Sequence, residues 1–209
     1  MIDFPDSTAC NTLLPKKTFY EKLSFTAAQK NLFVHEIEKI IWRNKLSAST
    51  LNLQPGKRVT ELQVFEVVLK KKSICFPVLK LLGKGIPYHL LFLLRFGDQV
   101  SACIGYRETP GTTEQEFFHT GWMTFAELPL QVLGLTMDDV YDNFIRQIHQ
   151  DLEEHENVPI AEAIRAATRK QQIEKQLDRL EKLARAEKQP RRKFNLIQEI
   201  RRLEKSKTR

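Results

Sequence analysis

The chain has 209 residues, of which 42% are hydrophobic and 28% charged, with only eight Gly and nine Pro. This composition excludes collagen-like, mucin-like and wholly disordered chains, and the length suits one domain with an appendage better than two full domains. The net charge of +7 is uneven: residues 165–209 carry 16 basic and six acidic side chains (net +10), which leaves 17 basic and 20 acidic on residues 1–164 (net −3).

The sequence predicts a soluble protein of the cytoplasm. Its three cysteines form no CxxC pair and cannot close a disulfide framework, which favours a reducing compartment. The N-terminus lacks the basic and apolar regions of a secretory signal. The longest apolar run, near residues 90–94, is far shorter than the ~20 residues of a membrane helix, so we expect no membrane partner.

The first elements are an extended segment, a helix and a long strand. We predict an N-terminal arm over residues 1–17 and, from the N-cap Thr26, a helix over 27–44 with apolar residues at helical spacing. Residues 59–70 are rich in β-branched and aromatic side chains and predict a strand. Because both of its faces are mostly apolar, this strand belongs in the centre of a sheet.

A strand–helix–strand unit and a hairpin follow. Ser73 is the expected N-cap of a short helix through Leu82, and the apolar run 86–94 predicts a buried strand parallel to the first. A turn at Gly97–Asp98 leads to a strand over 100–106. After a loop at Pro110–Gly111, a strand over 114–123 completes a hairpin. The predicted fold is therefore α/β (mixed α+β), with a central mixed sheet of about four strands flanked by helices.

The C-terminal third is helical. Residues 135–152 form an amphipathic helix capped by Thr136, and residues 153–157 break the pattern, so we place the α/β domain at 18–152. Residues 158–207 then predict a basic helical hairpin, interrupted near Pro190.

The first helix of this hairpin has an apolar stripe that is a candidate for partner binding. The stripe residues are spaced as in a short coiled coil, which is marginal alone and needs the body, a second copy or another protein to bury it. They are Ile173, Leu177 and Leu180.

The basic side chains of the hairpin are the clearest functional feature. They suit contact with the phosphates of DNA, although an acidic or helical protein partner and a merely solvated face are alternatives. No Tyr or Trp follows residue 150 and Phe194 is expected to pack in the stripe, which argues against base stacking. The candidate residues are Arg165, Arg169, Lys170, Arg179, Arg185, Lys188, Arg191, Arg192, Lys193, Arg201 and Arg202.

A metal-dependent nuclease is the catalytic alternative. Its candidate residues are Glu61, Glu66 and Lys70. Restriction-type nucleases place an acidic residue and a lysine two apart on one strand, whereas Glu66 and Lys70 are four apart, about 13 Å along a strand. Glu61 shares a face with Gln63 but lacks a lysine there.

The sequence offers no other catalytic or cofactor motif. His89 and His119 have no adjacent nucleophile and are expected to be core or rim residues. The cysteines lack zinc-type spacing, and neither a phosphate-binding loop nor a GxGxxG motif is present. We therefore expect no cofactor and no metal.

Five segments together carry a resemblance to a known family. They are VTELQVFEVVLK, IPYHLLFLL, FFHTGW, LTMDDVYDNFIRQI and EKQPRRKFNLIQEIRRLEK. As a set they resemble the bacterial and archaeal domain-of-unknown-function family 4391 over essentially the whole chain. The resemblance implies an accessory protein encoded beside Swi/Snf-type helicases and DNA methyltransferases in restriction or anti-phage gene clusters. Members often carry an acidic residue just before the Ile-Pro-Tyr motif, where this chain has Leu82-Gly83-Lys84-Gly85, and this departure weakens any scheme that needs a carboxylate there.

The sequence therefore favours a non-catalytic accessory subunit of a DNA-directed system. Its basic tail would bind DNA phosphates, a helicase or methyltransferase, or both. A nuclease on the α/β domain and a purely protein-binding adaptor remain the alternative hypotheses.

Overall fold

A computed structural model of the chain describes residues 4–23, 25–107, 115–149, 152 and 158–207. The chain divides into two compact units, residues 1–150 and residues 151–209. The first is a mixed α/β unit and the second a pair of helices, as the sequence predicts. The expected loop at Pro110–Gly111 and the expected break over 153–157 lie outside the described residues.

A six-stranded mixed sheet forms the centre of the first unit, and its strands lie side by side in chain order. β3 and β4 are parallel, as expected, and every other neighbouring pair is antiparallel, including the expected β5–β6 hairpin. The strands are β1 (Ala9–Leu14), β2 (Ile37–Ser47), β3 (Glu61–Leu69), β4 (His89–Phe96), β5 (Gln99–Tyr106) and β6 (Glu116–His119).

The expected count of about four strands is wrong because two strands lie where the sequence analysis placed other structure. β1 lies within the segment expected to be an extended arm. The helix expected over 27–44 ends at Glu36, and β2 begins at Ile37. The isoleucines of this segment fit a helical stripe, but β-branched and aromatic side chains are also favoured in strands, and pairing with both β1 and β3 decides the outcome.

The register of β2 contains a β-bulge at Arg43. Trp42 pairs with Phe65, but Asn44 pairs with the next residue of β3, Val64, so Arg43 is one extra residue. A bulge of this kind changes which face the following side chains occupy. As a result Trp42 and Lys45, three residues apart, lie on the same face of the sheet.

Among the residues that the structure describes, seven α-helices surround or follow the sheet. They are α1 (Lys16–Lys22), α2 (Ala27–Glu36), α3 (Ala48–Leu51), α4 (Phe76–Gly85), α5 (Met137–Ile148), α6 (Ile160–Ala186) and α7 (Pro190–Lys207). Thr26 and Thr136 cap α2 and α5 as expected, each with a capping box. Cys75, not Ser73, is the N-cap of α4, because Pro77 occupies the first turn, where its missing N–H costs nothing.

Both faces of the sheet are covered by helices. On one face, Phe33 of α2 and Leu82 of α4 join Phe65 and Phe92 of the central strands in one buried cluster. On the other, α5 packs beside β5, and the Tyr141 hydroxyl donates a 2.6 Å hydrogen bond to the Gly105 carbonyl. Burial on two sides explains why most residues of β3 and β4 are apolar.

The second unit consists of α6 and α7, which we call the helical pair. The two helices pack against each other, and only three residues connect them. None of the helices in the described part of the chain combines the length and apolar character needed to cross a membrane.

Candidate functional site

The basic residues singled out from the sequence are exposed on the helical pair. Ten of the eleven are solvent-exposed, and Lys170 is half-buried. They lie on the two longest helices of the chain, six of them on α6 or at its end and five on α7. The second unit therefore presents its positive charge to solvent.

Most of these cations have no ionic partner among the residues that the structure describes. Arg185 pairs with Glu181 one turn away at 3.2 Å, and Arg165 and Lys170 also interact with other groups. The remaining eight form no side-chain ion pair with any described residue; they are Arg169, Arg179, Lys188, Arg191, Arg192, Lys193, Arg201 and Arg202. Their charge is available to an anion from outside the chain.

The arginines of α7 occupy one side of that helix. At 3.6 residues per turn, Arg191 and Arg202 are three turns apart on almost the same line, and Arg192 and Arg201 flank that line. The opposite side carries a half-buried stripe of Leu196, Ile197, Ile200 and Leu203. An α-helix rises 1.5 Å per residue, so the charged face extends over roughly 17 Å.

Phe194 does not pack in that stripe, and the expectation that it would is wrong. Its side chain is 59% exposed. Helical periodicity explains the difference, because Phe194 lies seven residues before Arg201 and so falls on the charged side of α7. The argument against base stacking rested on the lack of an exposed aromatic ring. Helix α7 carries one such ring, that of Phe194, so the argument does not apply to this helix.

Three arginines of the first unit, unlike the eight cations above, pair with carboxylates of other elements. Glu66, with 2% of its side chain exposed, accepts hydrogen bonds from Arg43 and Arg95, each at 2.6 Å. Arg58 pairs with Asp142 at 2.8 Å and lies 3.9 Å from a carboxylate oxygen of Asp138. Both groups of ion pairs link neighbouring elements of the fold. Because their arginines already have carboxylate partners, they are less available to an anionic ligand.

The three residues proposed for partner binding lie on α6, the helix that packs against α7. Ile173 is buried, with 8% exposure, and Leu177 and Leu180 are half-buried. The stripe is therefore partly covered within the chain itself.

The residues of the nuclease alternative are not brought together. Glu61 and Glu66 lie on opposite faces of β3 because their separation is odd, and Glu66 is held by two arginines. The Lys70 ammonium donates to the Val34 carbonyl at 2.7 Å. Among the described residues there is no group of three or more His, Cys, Asp or Glu side chains that could hold a metal ion.

The structure instead gives Glu61 a lysine from the neighbouring strand. The Lys45 ammonium lies 2.7 Å from Glu61 Oε1, and Gln63 Nε2 donates to Glu61 Oε2 at 2.9 Å. Trp42 Nε1 in turn donates to Gln63 Oε1 at 2.8 Å. We call these four residues the polar chain. The hydrogen bond with Glu61 raises the pKa of Lys45, so its amine stays protonated.

The polar chain lines a cavity of about 400 Å³ in the first unit. Apolar side chains from β1, α1, β3 and the segment after α4 form its other walls. The sequence analysis placed Trp42 at the end of a helix over 27–44, as a core-edge anchor rather than a ligand platform, and gave no role to Lys45, which follows that helix. Even a strand assignment would separate them, because strict alternation places residues three apart on opposite faces.

Comparison with known proteins gives one result. A family model described as a domain of unknown function (DUF4391) matches residues 2–206. No curated protein matches the chain. No solved structure matches it either.

Proposed function

The chain belongs to the DUF4391 family, a domain of unknown function, and from its charge distribution we propose that it binds the phosphate backbone of DNA through the helical pair. Its role would be that of an accessory subunit docked on a helicase or methyltransferase of a restriction or anti-phage system, the context implied by the family resemblance. The observation that carries the proposal is the set of eight exposed cations without an ion pair to a described residue.

The arrangement of charge supports phosphate contact. Duplex DNA carries one negative charge per roughly 1.7 Å of its axis, and binding to it releases condensed counterions. A face about 17 Å long, with arginines at both ends, spans several phosphates of such a duplex. Arginine is suited to this contact because its planar fork donates two parallel hydrogen bonds to a phosphate.

Salt-dependent binding tests the proposal. We expect the full-length protein to bind a fluorescent duplex with an affinity that falls steeply as KCl is raised. Changing Arg191, Arg192, Arg201 and Arg202 together to Gln should lower the affinity at least tenfold. Because each phosphate contact contributes about 0.9 to the slope of log K against log[salt], that slope should fall by about 2 to 4.

A matched variant controls for net charge. Lys39, Lys71, Lys80 and Lys84 are exposed lysines of the first unit, and changing all four to Gln removes the same number of charges. This variant should keep most of the affinity and nearly the whole salt slope. If the arginine variant binds DNA as tightly as the natural protein and with the same slope, the proposal is wrong.

The accessory role excludes cleavage by the protein alone. Incubated with supercoiled plasmid and Mg²⁺ or Mn²⁺, the purified chain should leave the plasmid intact. Nicking that disappears in a Glu61→Ala or Glu66→Ala variant would contradict a non-catalytic role and favour the nuclease alternative.

A further inference from the structure

Four aromatic side chains contribute to the lining of the cavity in the first unit. Phe19 of α1, Trp42 of β2, Phe65 of β3 and Tyr88, just before β4, all contribute to its lining. Tyr88 is 39% exposed, so the aromatic lining continues to the protein surface. A volume of about 400 Å³ lies at the lower end of the range for small-molecule sites, roughly 300–1,000 Å³.

One wall of the cavity combines hydrogen-bond donors and acceptors at fixed positions. The Glu61 carboxylate accepts from Lys45 and Gln63, and its two oxygens have capacity for further donors. The Lys45 ammonium has three N–H groups, of which Glu61 takes one. The polar chain therefore offers an acceptor and a donor side by side, on a wall that the bulge at Arg43 brings together.

Lys45 and Glu61 carry opposite charges, so this wall is neutral overall and favours a neutral ligand. Because Lys45 and Glu61 form an ion pair at 2.7 Å, the wall has no excess charge to attract a free phosphate or carboxylate. An aliphatic chain would fill the apolar part but would cover the polar wall without replacing the hydrogen bonds that water makes there. A flat, neutral, aromatic ring with its own donors and acceptors along one edge suits both the apolar lining and the polar wall.

We propose that the cavity binds a purine-type heterocycle, stacked on its aromatic lining and hydrogen-bonded through one edge to Glu61 and Lys45. A purine has a π-face for Trp42 or Tyr88 and an edge that carries both N–H donors and N or O acceptors. Carboxylate oxygens accept from the N–H groups, and the ammonium donates to the ring acceptor. This site lies in the first unit and does not depend on phosphate contact by the helical pair.

Tryptophan fluorescence provides a direct test because the chain has only two tryptophans, Trp42 and Trp122. Only Trp42 lines the cavity. In the Trp122→Phe protein we expect guanosine or adenosine to quench the emission saturably, with a dissociation constant below 1 mM. Decanoate, the probe for an aliphatic occupant, should cause no saturable change. No response to either nucleoside up to several millimolar, or saturable binding of decanoate alone, would overturn the proposal.

A carboxylate variant tests the polar wall. Glu61→Gln in the Trp122→Phe background keeps the shape but loses the charge, and we expect at least a tenfold weaker response to the nucleosides. Glu36→Gln, also beside a lysine but outside the cavity, serves as the matched control and should bind like its parent. If the Glu61 variant binds the nucleosides as tightly as its Trp122→Phe parent and has the same melting temperature, Glu61 does not hydrogen-bond to the ligand.

A third experiment distinguishes a free nucleoside from a base within a nucleic-acid strand. A short single-stranded dA oligomer is compared with adenosine on the Trp122→Phe protein with and without the four arginine changes on α7. Quenching by adenosine in both backgrounds indicates a free nucleoside-type ligand. Quenching by both probes, but with tighter binding of the oligomer than of adenosine, indicates a base presented within a strand. A nucleoside response that survives the arginine changes keeps this site separate from the DNA-phosphate proposal.

Discussion

The surroundings of His89 in the fold strongly lower the pKa of this side chain. It begins β4, and its ring lies 4.6 Å from that of Tyr141 in an edge-on arrangement. Burial, followed by the nearby positive charges of Arg107 and Arg58, lowers the pKa of His89 to about 4. The imidazole is therefore neutral at pH 7 and serves as a packing residue, in line with the expectation of a core or rim histidine.

This pKa predicts an acid sensitivity that originates from one residue. An unfolded histidine titrates near 6.5, so between about pH 6.5 and pH 4 the unfolded chain binds a proton that the folded chain does not. The free energy of unfolding should therefore fall by about 1–2 kcal/mol between pH 7 and pH 5 on account of His89. Urea unfolding of the natural protein and of the His89→Gln variant, each at pH 7 and at pH 5, measures this change in the free energy of unfolding. An equally steep loss in the variant would contradict the assignment.

Glu66 predicts a large cost for the loss of one buried charge. Its carboxylate holds Arg43 and Arg95 from the two flanking strands, and removing it leaves two guanidinium groups without their partner. We expect Glu66→Ala to lower the free energy of unfolding by about 3–5 kcal/mol. Glu21→Ala is the control, because the Lys17–Glu21 pair is 84% and 62% exposed and should contribute less than about 1 kcal/mol. Denaturant unfolding compares the two, and equal effects would refute the importance of the buried carboxylate.

At the scale of elements, the segment before β3 is fixed by the N-terminus of α5. Partial burial alone would raise the pKa of Asp138, but hydrogen bonds from the backbone N–H groups of Val59, Lys57 and Arg58 lower it. The backbone of Gln54 also bonds to both sides of the α5 N-cap. A segment without helix or strand is thus held in place by one carboxylate at a helix N-terminus and by backbone hydrogen bonds of Gln54.

Gly56 is the residue that allows this close approach. A Cβ there would collide with the Asp138 carboxylate and with the Val59 carbonyl, so Gly56→Ala should destabilise the protein by about 1–3 kcal/mol. At Gly121 a Cβ would meet nothing within 4 Å, and Gly121→Ala should be neutral to within about 1 kcal/mol. Thermal unfolding of both alanine variants checks the pair. The same melting temperature for both would mean that the segment moves away from Asp138 at little cost.

Local sequence signals predict some elements of this fold and fail at others for physical reasons. The cap at Thr136 and the parallel β3–α4–β4 unit follow from side-chain capping and connection rules, and both are confirmed. β2 was missed because helical and strand spacing agree over a few isoleucines, and only its two neighbouring strands select between them. No local pattern marks Arg43 as an extra residue in the ladder.

At the scale of the whole molecule, the two candidate sites differ in how much the sequence reveals. The exposed cations of the helical pair were named from charge and helical spacing, which need no tertiary information. The cavity is assembled from strands and helices between Leu14 and Tyr88, and its lysine and carboxylate are 16 residues apart in the chain. A site of this kind becomes visible only when strand register is known.

The extra residue in β2 has a consequence for how this strand tolerates change. Arg43 reaches Glu66 on one side of the sheet, while Lys45 reaches Glu61 on the other. Removing a single residue between Trp42 and Asn44 would remove this bulge and deprive one carboxylate of its cation, while the register shift between Ile37 and Lys39 would remain. Point substitutions in β2 are therefore a milder perturbation than a one-residue deletion, and the length of this strand is constrained more tightly than its composition.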